Sequence, residues 1–185
     1  APPLQAIAEQ LAVYPQIETL PDVGDTETST FSVEAAIAAK PDVALLAGWQ
    51  FDALGEGVAQ LEAAGIPVVV VDYNAQTLAT HLASTRVIGT LMGTEERSEK
   101  LAGFYEAMIT DTQKRVAAAG DAPKKVYVEL AKKGPAEVGN TYGNGMWAGV
   151  IDLVGGVNIA KGQIENWGPL APEYVLAEQP DVILL

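Results

Sequence analysis

Short apolar runs alternate with helical patterns along the 185 residues of this chain. Residues 43–46 and 68–71 are each long enough for one buried strand, and a helical segment precedes both of them, at 34–39 and 54–64. The sequence Lys40-Pro41-Asp42 ends the first helix, since proline disfavours helix at the residue before it. Alternation of this kind predicts α/β layers built on parallel sheets.

Two long helical segments occupy the middle of the chain. The first covers 78–92 and the second 94–120, where apolar residues keep a helical spacing. At about 1.5 Å per residue the second helix would be roughly 35–40 Å long, which is enough to bridge two lobes. A second α/β set follows, with predicted strands at 126–130 and 182–185 and a glycine-rich polar loop at 132–145.

An internal repeat links the two halves of the chain. The segment from Glu34 to Val43 matches the segment from Glu173 to Val182, an offset of 139 residues (173 − 34 = 139). In both copies an acidic residue opens a short helix, Pro-Asp interrupts it, and a buried strand follows. Two interpretations stay open: a common α/β connection that occurs twice, or two lobes of similar build on either side of the long helix.

Five segments, taken in order, resemble the periplasmic binding proteins of iron-complex and vitamin B12 ABC importers. Each segment is weak alone, but the ordered set is fairly specific. The segments are Ser32 to Val43, Gly65 to Asp72, Ile88 to Arg97, Leu153 to Ala160 and Glu173 to Leu184.

The resemblance implies an α/β fold of two Rossmann-like lobes with parallel sheets, joined by a single long helix as in class III periplasmic binding proteins. It places an N-terminal lobe at 1–93, the linking helix at 94–120 and a C-terminal lobe at 121–185. The family usually has further segments before and after these, so we expect the chain to be incomplete at both ends.

The resemblance also implies a function: the solute-binding component of an ABC importer, periplasmic or lipid-anchored outside the cytoplasmic membrane. Such a protein captures a metal complex in the cleft between its lobes and delivers it to a membrane permease. A ferric siderophore is favoured, and a corrinoid or haem is possible. The alternatives are an enzyme on a similar two-lobed frame, such as a chelatase or nucleotide-dependent transferase, and a structural or regulatory module of the same fold.

Charge and composition narrow the chemistry. With 24 acidic and 11 basic side chains the net charge is −13, which disfavours nucleic acid and anionic lipid as partners because both require positive potential. The chain has no cysteine and one histidine, His81, for which we predict a surface or packing role. These counts exclude a metal site built from histidine or cysteine. We expect no catalytic residues and no cofactor, and a bound metal would arrive inside a chelate.

Ligand contacts are expected where strands end, because ligands of open parallel sheets bind beyond the carboxyl ends of the strands. Aromatic side chains there suit a flat or apolar ligand face, although they can also cap the core of their own lobe. Lysines of the polar loop can meet an anionic chelate, unless that loop is only a mobile surface segment. The predicted ligand-binding residues are Trp49, Gln50, Phe51, Tyr73, Lys132, Tyr142, Trp147 and Trp167.

The segment from Gly143 to Ala148 also fits the dinucleotide fingerprint G-x-G-x-x-A, with Glu165 near the expected place of a ribose-binding acid. In that fingerprint the glycines leave a strand directly, so that the pyrophosphate meets the helix N-terminus. Here about a dozen residues separate the predicted strand end at Leu130 from Gly143. The spacing therefore disfavours nucleotide binding.

Glu34 and Glu173 occupy the same place in the two copies of the repeat. In the family that the chain resembles, one surface glutamate of each lobe docks onto arginines of the permease, and the resemblance implies this role for these two residues. The alternative is local, because an acidic residue in the first turn of a helix is favoured by the helix dipole without any partner.

Overall fold

The computed structural model describes residues 11–75, 77–130 and 140–185. The chain divides into two compact units, Ala1–Val70 and Val71–Leu185. The lobe boundaries that the sequence predicts at residues 93 and 120 stay a prediction.

From residue 14 onwards, the first unit is built around a two-stranded sheet with helices before and between the strands. A short 3-10 helix, Pro15–Thr19, comes first. The strands Ala44–Ala47 and Val68–Val71 pair with each other, and Ala36, Leu61 and Ile66 form the buried core of this unit. The elements are α1 (Val33–Ala39), β1 (Ala44–Ala47), α2 (Gly48–Leu54), α3 (Glu56–Ala63) and β2 (Val68–Val71).

The predicted helix 54–64 is confirmed as α3 to within two residues. It begins only at Glu56 because the chain breaks at Gly55, whose φ of 50° lies in the left-handed region that favours glycine. The residues before the break form helix α2, for which the sequence predicted no helix. Its start is stabilised by the Gln50 Oε1, which accepts a hydrogen bond from the Ala47 N–H at 2.9 Å.

The second unit begins with two helices that pack against each other, α4 (Leu78–Leu91) and α5 (Glu95–Ala119). Both confirm the sequence prediction to within one or two residues. Gly89 permits the close approach, since a Cβ there would collide with the Ser98 side chain. An exposed ion pair between Arg86 and Glu99, 2.7 Å long, also joins the two helices.

A three-stranded parallel sheet forms the centre of the second unit. Its order is β5 (Val157–Asn158), β3 (Lys125–Val128), β7 (Val182–Leu184), and β3 pairs in parallel with both neighbours. Alternate residues of β3 enter different clusters, because successive side chains of a strand point to opposite faces. Val126 and Val128 pack with Ile151 of α6 (Met146–Leu153), and Tyr127 packs in a second cluster that includes Leu170.

Two further strands correct the sequence prediction. Strands β4 (Asn140–Tyr142) and β6 (Trp167–Pro169) pair antiparallel, with Tyr142 opposite Trp167. The residues of β4 lie in the predicted polar loop 132–145, and the sequence predicts no strand for the residues of β6. Their partners lie 25 residues or more apart along the chain and their own residues show no apolar alternation, so local patterns did not reveal the pairing.

The internal repeat extends from the sequence to the backbone. Helix α1 and helix α7 (Pro172–Glu178) both have seven residues, and both end at a residue in the left-handed conformation. These residues are Lys40, with a φ of 51°, and Gln179, with a φ of 49°. Pro-Asp and a strand follow in each copy. The two helix-to-strand connections therefore have the same backbone conformation at the end of the helix.

Replacing Lys40 with Gly should stabilise the chain, because a residue with a Cβ is strained in the left-handed region and glycine is not. We expect a gain of about 0.5–1 kcal/mol after the greater freedom of glycine in the unfolded state is subtracted. Urea unfolding measures this difference. Lys40→Ala is the matched control, since it removes the charge but keeps the Cβ. If the glycine variant is no more stable than the alanine variant, strain at this position is not significant.

Candidate functional site

A buried carboxylate lies at the carboxyl end of β3. Glu129 is 9% exposed, and its Oε2 accepts a hydrogen bond from the Tyr127 hydroxyl at 2.7 Å. Burial, and then the hydrogen bond to Glu129, raise the pKa of Tyr127. The next residue, Leu130, donates its N–H to the Asn140 carbonyl at 2.9 Å, which connects this end of β3 to β4.

The sequence prediction missed Glu129 as a functional candidate. The available signal was a single acidic residue in the otherwise non-acidic run 126–130, two positions after a tyrosine and therefore on the same face of the strand. Charged groups are seldom buried without partners, so a carboxylate at the ligand edge of a parallel sheet indicates a site worth testing.

Tyr142 and Trp167 form a cross-strand pair on β4 and β6. Directly opposed residues of an antiparallel pair place their side chains on the same face, where aromatic rings contact each other or a common partner. Trp167 is 58% exposed and Tyr142 is half-buried. The structure thus places Tyr142, which was predicted in the loop 132–145, on a strand and joins it with Trp167 in one exposed aromatic surface.

Trp147 lies in the first turn of α6 and is 47% exposed. Large aromatic side chains that remain exposed at the start of a helix are available for contact with a ligand, whereas Ala148 and Ile151 of the same helix are buried.

The Tyr73 side chain packs against other residues of the second unit. Its hydroxyl is 3.3 Å from the Thr85 Oγ1, and its ring contacts the His81 ring edge-to-face with the centroids 4.7 Å apart. His81 in turn stacks on Tyr105 of α5 with the centroids 4.0 Å apart, and burial lowers the pKa of His81. The predicted packing role of His81 is confirmed, and Tyr73 serves at least to attach the segment after β2 to α4.

The start of α6 is held by the segment that follows β2. The Met146 N–H donates a hydrogen bond to the Asn74 carbonyl. Gly145 precedes it with a φ of 59°, and a Cβ at Gly145 would lie 2.9 Å from the Asn74 oxygen. Because β4, which leads into α6, is paired antiparallel, the Gly143–Ala148 segment lacks the parallel strand-to-helix turn of a dinucleotide site.

A small pocket of about 260 Å³ lies beside α6, within the second unit. This volume is below the roughly 300–1,000 Å³ typical of sites for drug-sized ligands, so a large chelate does not fit it. Its charged residues are Asp152 and Lys161, which pair with each other at 2.6 Å. The lining is completed by Ala75, Thr77, Gln113, Gly143, Asn144, Gly145, Gly149 and Leu153.

Trp49, Gln50 and Phe51 lie in the first unit, on the first turns of α2. The rings of Trp49 and Phe51 are partly exposed, at 39% and 41%, while Gln50 is engaged in the start of its own helix. A ligand contact shared by Trp49 and Tyr142 stays a prediction, since these residues belong to different units. Lys132 lies outside the described residues.

Within residues 11–75, 77–130 and 140–185, no group of three or more histidine, aspartate or glutamate side chains is arranged to hold a metal ion. Among the helices of the same ranges, none is both long and apolar enough to cross a membrane.

Replacing Tyr127 with Phe removes a donor from a buried carboxylate and should cost about 1–3 kcal/mol of stability at neutral pH. The pKa of Tyr127 is higher in the folded state than in the unfolded state, where it is about 10. The free energy of unfolding that Tyr127 contributes is therefore fully present below pH 10. It is lost as the pH rises above 10, at up to about 1.4 kcal/mol per pH unit.

The stability difference between wild type and Tyr127→Phe should consequently be constant up to about pH 9 and narrow above about pH 10. Urea unfolding across this range measures it. Tyr14→Phe is the control, because Tyr14 is exposed and its variant should show no such narrowing. A difference that is independent of pH for Tyr127→Phe would contradict the assignment.

Comparison with known proteins places these features in a family. The family described as periplasmic binding protein matches residues 5–185. The crystal structure of the TroA-like periplasmic binding protein FepB from Veillonella parvula is similar, with 32% identity and a TM-score of 0.82 over 97% of this chain and 53% of that chain. The periplasmic heme-binding protein RhuT from Roseiflexus sp. RS-1, in its apo form, is 28% identical, with a TM-score of 0.64 over 93% of this chain and 64% of that one.

A curated relative is an uncharacterized ABC transporter substrate-binding lipoprotein, YvrC, of Bacillus subtilis (strain 168). It is 25% identical over 173 residues, which are 92% of this chain and 53% of the relative. The chain therefore spans about half the length of the relatives it matches first. The predicted α/β class with parallel sheets, of the class III periplasmic binding protein type, is confirmed. The chain belongs to the periplasmic binding protein family.

Proposed function

We propose that this chain is part of the solute-binding component of an ABC importer, which acts in the periplasm or lipid-anchored outside the cytoplasmic membrane and captures a metal complex. The observation that carries the proposal is the exposed aromatic surface of Tyr142 and Trp167, next to the carboxyl end of β3. Membership of the family supports the transport role. The names of the relatives, substrate-binding lipoprotein and heme-binding protein, favour binding over catalysis.

The chemistry of the ligand follows from the surface that would meet it. Exposed tryptophan and tyrosine rings offer apolar faces with polar edges, which suit the aromatic or macrocyclic part of a chelate. The metal itself would be carried by the chelate, since the residue types of this chain provide no thiolate and one histidine, and that histidine is packed between two tyrosines. A ferric siderophore is the ligand we favour, with haem and corrinoid as the competing members of the class.

Trp49→Ala and Tyr142→Ala should each weaken binding of the chelate by about 1–3 kcal/mol, because truncating a buried aromatic contact removes apolar area and stacking. Tryptophan fluorescence quenching, with a ferric tris-catecholate, haemin and cyanocobalamin as probes, measures the affinities. Phe104→Ala on α5 is the matched control, since this ring is 64% exposed and is not one of the predicted ligand contacts. The proposal fails if the wild-type chain binds none of the three probes.

Docking to the permease is proposed through Glu34 and Glu173. Both are exposed residues in the first turn of a seven-residue helix, at matching places of the repeat. Glu34 also contributes locally, because its Oε2 accepts a hydrogen bond at 3.1 Å from the hydroxyl of Ser32, the residue that caps α1. Two carboxylates at matching positions suit two basic sites on a partner, and such charge pairing speeds encounter.

The double variant Glu34→Lys with Glu173→Lys should reduce transport in a reconstituted importer while ligand affinity and folding stay near wild type, because only the encounter with the permease is disturbed. Glu62→Lys with Glu106→Lys is the control, since it makes the same change of net charge at other exposed positions. Equal transport by the two double variants would return Glu34 and Glu173 to a local role in their helices.

A further inference from the structure

The glycine turn is the backbone from Tyr142 to Met146. Hydrogen bonds attach it to three separate segments of the chain. The Gly143 N–H donates to the Asn166 carbonyl at 2.7 Å, and the Met146 N–H donates to the Asn74 carbonyl. The side chain of Asn158 supplies the third attachment. The glycine turn connects β4, which carries Tyr142, to α6, which carries Trp147 in its first turn.

Both the nitrogen and the oxygen of the Asn158 carboxamide have hydrogen-bond partners, and the nitrogen faces the glycine turn. Its Nδ2 donates to the Tyr142 carbonyl at 2.7 Å and lies 3.4 Å from the Gly143 carbonyl. Its Oδ1 accepts from the Ala160 N–H at 3.1 Å. An N–H on one side and two carbonyl oxygens on the other fix which end of the amide faces the turn.

Asn158 itself is fixed by the central sheet. It is 4% exposed, and on β5 it lies opposite Val126 of β3, whose carbonyl accepts the Ile159 N–H at 3.1 Å. The turn has little freedom to settle elsewhere, because a Cβ at Gly143 would collide with the Ile164 carbonyl. Asn158 therefore connects a rigid strand to the backbone of the turn from inside the protein.

A purely apolar residue at this position would leave two carbonyl groups without this donor. Buried backbone oxygens without partners are costly, so the turn would move until water or another donor reached them. Such a movement would displace the last residue of β4, Tyr142, and the first turn of α6, which carries Trp147. The effect on the ligand is indirect, through the geometry of those elements.

We propose that Asn158 is a positioning residue for ligand binding: its carboxamide sets the glycine turn, and thereby the places of Tyr142 and Trp147, before a ligand arrives. The proposal rests on the proposed function for the identity of the ligand, but not for the ordering of the turn. A binding surface that is ordered in advance loses less conformational entropy when it binds.

Asn158→Asp is the sharpest variant. An aspartate has nearly the same shape and still accepts the Ala160 N–H, but its carboxylate presents an oxygen to the Tyr142 carbonyl instead of a donor. When the carboxyl is protonated, its O–H can donate to that carbonyl again. Burial favours the neutral form of a carboxyl group, so we expect recovery at about pH 5. Gln163→Glu is the matched control, because it adds the same charge at an exposed position nearby.

Hydrogen exchange of the ligand-free chain is the first measurement. At about pH 7.5, Asn158→Asp should lower the protection factors of the Gly143, Asn144 and Met146 amides by about tenfold or more, while the β3 amides stay protected. Protection should return at about pH 5. Unchanged protection of the turn, equal loss in β3, or no recovery in acid would each overturn the proposal.

The wild-type chain provides a measurement that does not depend on whether the variant folds. In its NMR spectrum the Asn158 side-chain NH₂ should exchange slowly with water, because one of its protons is bonded to a buried carbonyl. Fast exchange would overturn the assignment.

Titration with a ferric tris-catecholate, haemin and cyanocobalamin completes the test. A probe that binds wild type should bind Asn158→Asp about tenfold or more weakly at pH 7.5 and nearly normally at about pH 5, with Gln163→Glu unaffected. Equal affinity at pH 7.5 would overturn the positioning role. If no probe binds wild type but the exchange pattern appears, the metal-complex function fails and the ordering role of Asn158 stands.

Discussion

The second unit depends on strand β3, because parallel strands flank it on both sides and its backbone groups are committed to them. A strand in this position has no free edge, and its side chains point into packed clusters on both faces. Its end is therefore a fixed point. At this end of β3 the Leu130 N–H bonds to Asn140 of β4, and Asn158, one strand away in the same sheet, donates a hydrogen bond to the glycine turn. Polar groups of the candidate site are thus placed by the sheet and not by the loops alone.

The sequence was sufficient for elements whose signal is local. The apolar run at 68–71 matches β2 residue for residue, and the long pattern after Thr94 matches α5, because both depend on neighbouring residues along the chain. The repeat predicted two similar helix-to-strand connections, and the left-handed residues Lys40 and Gln179 occur at the same place in each. Strands β4 and β6 were missed because their stability comes from pairing across a long separation, which leaves no periodicity in either segment.

The aromatic residues show why the candidate site was only partly predictable. The sequence predicts a ligand contact for all three of Trp147, Trp167 and Tyr73. Their surroundings differ: Tyr73 is engaged by Thr85 and His81, whereas the two tryptophan rings remain about half exposed. The packing of Tyr73 depends on His81 and Thr85 of α4, which no pattern around Tyr73 itself reveals. Asn158 and Glu129 escaped notice for a related reason, since a polar residue inside a strand is informative only once its burial is known.

The glycine turn combines these two observations. Gly143 and Gly145 would suggest a flexible segment if their sequence were considered alone, because glycine admits many backbone conformations. In the structure their lack of a side chain has the opposite consequence: it lets the backbone of Ile164 and of Asn74 pack closely against the two glycines. Asn74, Asn158 and Asn166 provide hydrogen-bond partners for the turn from three different segments. Asn74 follows Tyr73, which contacts α4. Asn158 belongs to β5 of the central sheet, and Asn166 directly precedes β6. The residues at the two ends of the turn are therefore attached through the backbone to several parts of the unit, and a surface that is ordered in this way loses less conformational entropy when it binds.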